Sequence, residues 1–137
     1  MKVLFLDFDG VLTTKNTQFG YGDPSCVHEL NRITKMTNSE IVISSTWRFQ
    51  GLQQCIDNLR TWGVVGDVID CTPRLIDIEA TRGQEIHQYL KDKRNVSRFV
   101  ILDDDDDLDD LREHLVKCDT MVGLTQEIAE LAIQKLL

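Results

Sequence analysis

The sequence predicts an α/β fold built on a central, mainly parallel sheet of about five strands, and three observations carry that reading. Strand-like and helix-like patterns alternate from one end of the chain to the other, the signature of parallel strands joined by crossover helices. The longest apolar runs, such as Val3 to Leu6 and Ile41 to Ile43, are strand-sized and uninterrupted, as strands covered on both faces require. Three of these runs end in polar residues able to do chemistry.

Val3 to Phe8 reads as the first strand and Thr13 to Gly22 as a polar, glycine-bearing loop. A helix follows, with Asp23 or Ser25 as cap, Pro24 in its first turn, and Val27, Leu30 and Ile33 on one face. Glu40 to Ser44 is a second buried strand. Leu52, Cys55, Ile56, Leu59 and Trp62 keep the helical period, and Gly63 is a ready C-terminal stop. Val64 to Ile69 is expected to be a short third strand, Asp70 to Thr81 a loop around Pro73, and Gln84 to Lys91 a helix. Phe99 to Leu102 reads as the fourth strand. Leu108, Leu111 and Leu115 suggest a helix after it, Thr120 to Val122 an edge strand, and Thr125 the cap of a last helix facing the core through Ile128, Leu131, Ala132 and Leu136.

At 137 residues the chain fits one domain, 1–137, with no room for a large cap domain; the 13–22 loop is the one candidate flap. Apolar residues make up 42% and aromatics 7%, a globular composition. Cys26, Cys55, Cys71 and Cys118 lie far apart without CxxC spacing, which favours reduced core thiols. No signal-peptide pattern or membrane-length apolar run is present, so a soluble, cytoplasmic protein is the expectation. A net charge of −8 argues against broad electrostatic attraction to nucleic acid or anionic membranes, while leaving contact with a single phosphorylated end open.

The chemistry concentrates at strand ends. Asp7 and Asp9, one residue apart after a buried strand, each lose hydration and repel the other, a cost that a divalent cation offsets; hard oxygen ligands suit Mg²⁺. Such a pair also offers a nucleophile and an acid/base. Ser44, Ser45 and Thr46 end the second strand, and Asp103 and Asp104 the fourth. Ligands of open α/β sheets bind beyond the carboxyl ends of the strands, so these groups meet at one rim that can hold Mg²⁺ and a phosphate. A cation is needed to neutralise phosphoryl oxygens. Arg82, at the start of the helix before the fourth strand, is the first choice, with Arg48 and Lys91 as others. Arg48, beside the hydroxyls, is also a candidate phosphate or substrate contact, with pairing to an acid as its alternative. Trp47, Phe49, Phe19 and Tyr21 are candidates for stacking near the rim, Trp47 equally for core packing. The acids from Asp105 to Asp110 read as a solvated helix start, and His28, His87 and His114 as ordinary surface or boundary histidines.

Asp7-Phe8-Asp9-Gly10-Val11-Leu12, Ser44-Ser45-Thr46-Trp47-Arg48, Arg82 with Glu85-Ile86, and Leu102-Asp103-Asp104 resemble, in that order, the motifs of haloacid dehalogenase (HAD) superfamily phosphotransferases. More narrowly, they look like the small phosphatase domain of multi-enzyme RNA-repair proteins. The resemblance implies a three-layer α/β/α Rossmann-like fold and a Mg²⁺-dependent phosphomonoesterase working through an aspartyl phosphate. It assigns Asp7 as nucleophile, Asp9 as acid/base and backbone-carbonyl metal ligand, Ser44 (Ser45 as second choice) as phosphoryl donor, and Arg82 as the third-motif cation. Asp7, Asp9, Asp104 and Asp103 form the metal set, with Asp104 at the metal and Asp103 paired to Arg82, the swap remaining open. Ser45, Thr46 and Arg48 are assigned to substrate. Arg82 departs from the commoner Lys.

The expected substrate is a polynucleotide 3′-phosphate, with a nucleotide or phosphoprotein as runner-up. A receiver-type phosphoacceptor module uses similar residues but in another chain order, with the phosphorylated Asp alone on a middle strand. A phosphate-binding domain without turnover is the third reading.

Overall fold

The computed structural model of the chain describes residues 1–76, 78–93 and 95–137. Five strands form one sheet: β1 (Lys2–Leu6), β2 (Glu40–Ile43), β3 (Val68–Cys71), β4 (Arg98–Asp103) and β5 (Leu115–Lys117), in the order β3-β2-β1-β4-β5 with all four pairings parallel. Helices α1 (Pro24–Thr37), α2 (Leu52–Trp62) and α4 (Gln126–Leu136) cover one face; α3 (Arg82–Asp92) covers the other. This is the three-layer α/β fold that the sequence predicts.

Strand alternation builds the two cores. Leu4, Leu6 and Phe8 join Leu30, Ile33, Leu59 and Ile133 on one side, while Val3 and Phe5 join Ile86, Tyr89 and Leu111 on the other. With both faces covered, every residue from Val3 to Phe8 is buried. Local signals fix the helix ends: the Asp23 carboxylate accepts from the Ser25 amide at 3.0 Å with Pro24 opening α1, and Thr81 and Gln84 form a reciprocal capping box on α3.

Four expectations are corrected. Leu108, Leu111 and Leu115 do not share a helix: Asp109–His114 is a 3-10 turn and Leu115 opens β5. Consecutive aspartates repel and disfavour α-helix, and Asp109 takes a left-handed φ of 53°. The edge strand is therefore β5; residues 120–122 form a turn closed by the Asp119–Gly123 bridge, with Gly123 at φ 71°. The third strand starts later than expected, because the Val64 amide closes the end of α2 on the Leu59 carbonyl, and a register shift opposite Ile41 and Val42 leaves Ile69 exposed. In α4 the buried stripe is Ala129, Ala132, Ile133 and Leu136, and Leu131 faces solvent. No helix among the described residues is long and apolar enough to cross a membrane.

Candidate active site

The order β3-β2-β1-β4-β5 reverses direction between β1 and β4, and ligands of open α/β sheets bind at such a switch point. Asp7 leaves β1 there and Asp103 ends β4. Their strands are in register, Leu6 opposite Leu102, and the Asp7 amide donates to the Leu102 carbonyl at 3.1 Å. Ser44 enters from the other flank, its amide donating to the Leu6 carbonyl at 3.0 Å. Alternation puts Asp7, Ser44 and Asp103 on the side of the sheet that α3 covers.

Arg82, the first residue of α3, comes down onto this rim. Its Nη1 lies 3.1 Å from Asp7 Oδ1 and 2.8 Å from Asp103 Oδ2. Of the three cations weighed, it is the one placed against the carboxylates; Lys91 is exposed in the last turn of α3. Gly83 follows because the helix start packs on backbone: a Cβ there would sit 2.6 Å from the Leu108 carbonyl.

Ligand oxygens of Asp7, Asp103 and Asp104 all lie within 4.8 Å of one another. Asp104 Oδ2 accepts from the Thr120 hydroxyl at 2.8 Å, while Asp103 accepts from the Asp105 amide and from Arg82. The two acids thus differ: Asp103 is committed to the guanidinium, and Asp104 is the more exposed of the two. Gly10 makes room for it. A Cβ at Gly10 would stand 2.2 Å from Asp104 Oδ2, and its φ of 80° disfavours a side chain in any case. Gly10→Ala is expected to displace the Asp104 carboxylate and cost about 1–3 kcal/mol of stability. Thermal unfolding and a Mg²⁺ titration of the variant check it; unchanged metal affinity would contradict the placement.

Asp9 sits apart from the three-carboxylate cluster and is exposed. Thr13 donates to its Oδ1 and the Trp47 indole to its Oδ2, each at 2.9 Å. Both oxygens are thereby held in place, two residues along the chain from Asp7. The 13–22 loop starts at this contact and, beyond the Asp9–Thr13 bridge, contains no strand or helix.

Burial and mutual repulsion strain the carboxylates. Burial raises the pKa of Asp7 above 3.8, with Arg82 opposing, and burial plus the Asp7 charge push Asp103 up to about 8. Burial pulls Arg82 down, but Asp7 and Asp103 outweigh it and hold the guanidinium firmly charged. Since the folded state keeps protons on this pair that the unfolded chain releases near 3.8, stability without metal falls as pH rises from about 4 to about 8. Melting curves in EDTA from about pH 5 to about pH 8 are expected to show that decline, and Mg²⁺ to flatten it.

Arg48 is corrected as a substrate contact. It is 7% exposed and its guanidinium is consumed internally: Nε donates to the Thr72 carbonyl at 3.0 Å, Nη1 to the Ser44 and Ser45 carbonyls at 3.0 and 2.8 Å, and Nη2 to Glu85 Oε1 at 2.7 Å. An arginine fork satisfies carbonyls on several loops at once, which is what the turn after β2 needs. Ser45 is also turned inward, its hydroxyl capping the Thr46–Gln50 3-10 turn by accepting from the Trp47 amide at 3.2 Å; Thr46 is exposed. Ser44 differs from both. Among the described residues its Oγ is the one buried side-chain polar atom with no hydrogen-bond partner.

These unpaired and strained groups fit a cation and a phosphoryl group. Three clustered carboxylates are the hard, anionic donor set that Mg²⁺ takes, and an orphaned buried hydroxyl is a donor waiting for an acceptor. The partnerships of Asp9 with Trp47 and Thr13, of Asp104 with Thr120 and of Arg48 with Glu85 escape sequence reading. Only the first had a signal, an aromatic three residues past Ser44.

A five-stranded parallel sheet with acids at its switch point and a basic residue opening the next helix defines a HAD-type domain, from a superfamily of phosphatases and related hydrolases. The family described as the HAD domain in Swiss Army Knife RNA repair proteins matches residues 3–129, and the chain belongs to it. Among curated proteins and among solved structures, none matches the chain significantly.

Proposed function

We propose that this domain is a Mg²⁺-dependent phosphomonoesterase that works through an aspartyl phosphate on phosphorylated nucleic-acid ends, a polynucleotide 3′-phosphatase. The observation that carries the chemistry is the convergence of Asp7, Asp103, Asp104 and Arg82 at the switch point, beside the unpartnered Ser44 hydroxyl. The membership in an RNA-repair family supports the substrate class.

Asp7 Oδ attacks phosphorus, an Asp–O–P bond forms, and the bond from phosphorus to the sugar oxygen breaks. Asp9, steadied by Thr13 and Trp47, gives that oxygen its proton. Asp9 then takes a proton from water as the water oxygen attacks phosphorus, and the Asp–O–P bond breaks to restore Asp7 and release phosphate. Arg82 neutralises charge on the phosphoryl oxygens while anchored by Asp103, and Ser44 donates to one of them. Asp7, Asp104 and the Asp9 backbone carbonyl would hold Mg²⁺, with Asp103 alongside through its tie to Arg82. When bound, the ion offsets the repulsion between Asp7 and the phosphate and polarises the phosphoryl oxygens.

The direct test is phosphate release, with Mg²⁺ and with EDTA, from 3′-phosphorylated RNA and DNA oligonucleotides, 3′- and 5′-mononucleotides, a phosphopeptide and an aryl phosphate. Preference for 3′-ends, abolished by EDTA, is expected. A mononucleotide preference moves the role to nucleotide metabolism, a phosphopeptide preference to protein substrates, and no release overturns the enzyme reading.

A further inference from the structure

Next to Asp9 lies an open cleft of about 430 Å³ lined by Phe19, Gly20, Thr46, Trp47, Phe49 and Gln50, with Asn58 at its edge. That volume falls in the ~300–1,000 Å³ range of small-ligand clefts. Its walls are unusual for a water-facing surface: Phe19 is 97% exposed and Phe49 61%. Large rings left in solvent beside a reaction centre mark a contact surface rather than core.

The walls are also organised. Trp47 packs edge-on against Phe8 and Trp62 at 5.5 Å and donates to Asp9, so its indole is fixed relative to the acid/base. Phe19 tilts over Trp47 at 35° and 6.5 Å, and the Arg74 guanidinium lies 3.2 Å from the centre of the Phe49 ring. Flat π-surfaces and the side-chain amides of Gln50 and Asn58 fit a nucleobase, which offers a π-face and hydrogen-bonding edges. Thr46, Trp47, Phe49 and Gln50 follow β2 and Phe19 and Gly20 follow β1, whereas the exposed acids Asp105 to Asp107, Asp109 and Asp110 follow β4, on the far side of β1 from β2. An anionic strand therefore reaches Asp7 from the β2 side without crossing the acidic run.

We propose that this cleft is a stacking site for the nucleobase of the phosphorylated terminal nucleotide, with Phe19 and Phe49 as its specificity-determining walls and Trp47 as its link to Asp9. The proposal rests on the nucleic-acid-end reading and names the part of the end that is gripped.

Two measurements on the whole chain test it. Adenosine and uridine, which carry no phosphate, are titrated while the Trp47 indole N–H is followed by NMR in wild type, Phe19→Ala and Phe49→Ala. A saturable shift, weakened by either substitution, is expected; no shift overturns the proposal whatever the enzyme hydrolyses. In parallel, kcat/KM is compared for a nucleoside 3′-phosphate and for glycerol phosphate. Each substitution is expected to lower the first about tenfold and leave the second unchanged. Equal loss on both, or none, overturns the subsite while the phosphatase reading stands. Absence of all turnover defeats the phosphatase reading, and the titration still decides whether the cleft binds a base.

Discussion

Asp7→Asn is expected to remove Mg²⁺-dependent phosphate release by about 10⁴-fold or more while leaving the fold intact, because it deletes the attacking oxygen and nothing else of similar reach replaces it. Asn keeps an oxygen able to accept from the Phe8 amide, a bond of 2.9 Å in the structure, and Arg82 retains Asp103 as partner. Removing one charge from a buried pair also relieves repulsion: with Asp7 and Asp103 both held above their ordinary pKa, the metal-free variant is expected to melt higher than wild type near pH 8 and less so near pH 4. Loss of activity with raised metal-free stability separates a reactive group from a structural one. A variant that loses both contradicts the assignment.

Arg48 is expected to behave in the opposite way, as a residue whose loss unfolds before it disarms. Its side chain is 4% exposed and that of Glu85 15%, so Arg48→Ala leaves a largely buried carboxylate, takes the guanidinium donors from the Ser44 and Thr72 carbonyls, and leaves the Ser45 carbonyl with the residue-48 backbone amide alone. Breaking a buried pair from one side costs about 3–5 kcal/mol, and a drop of roughly 10 °C or more in Tm is the expected readout. Glu85 also accepts from the Leu75 amide at 3.2 Å, so this cluster ties the turn after β2, the chain after β3 and the first turn of α3 together. Arg82 stands one turn before Glu85. Activity of Arg48→Ala at low temperature is therefore expected to fall through misplacement of Ser44 and Arg82, and Arg48→Lys, which keeps the charge but loses the fork, to recover only part of the stability. An Arg48→Ala protein as stable as wild type would contradict this role.

The sheet was legible because β1, β2 and β4 are continuous apolar runs, and burial on both faces leaves such runs few alternatives. Asp7, Asp103, Asp104 and Arg82 were legible because their order along the chain maps onto strand ends and a helix start. Illegible were the segments in which apolar spacing competed with local backbone preference. Leu108, Leu111 and Leu115 keep a helical spacing, but the aspartates between them and the left-handed Asp109 break it into a 3-10 turn and a strand. Arg48 misled for a different reason: a basic residue beside strand-end hydroxyls reads as a phosphate contact, and only three dimensions show the Thr72 carbonyl and Glu85 waiting for it. The aromatic cleft needed Phe19, Trp47 and Phe49 to be brought together from two separate loops.

The central claim is that Asp7 carries the phosphoryl group between substrate and water, and Asp9→Asn with an aryl phosphate tests it most directly. An aryl oxide leaves without a proton, so the first step survives in this variant while hydrolysis, which needs Asp9 as base, slows. Rapid-quench mixing is predicted to show a burst of about one aryl oxide per protein and a hydroxylamine-labile phosphate that mass spectrometry places on Asp7. Wild-type turnover of the same substrate with no burst and no labelled Asp7 in the variant would contradict the account.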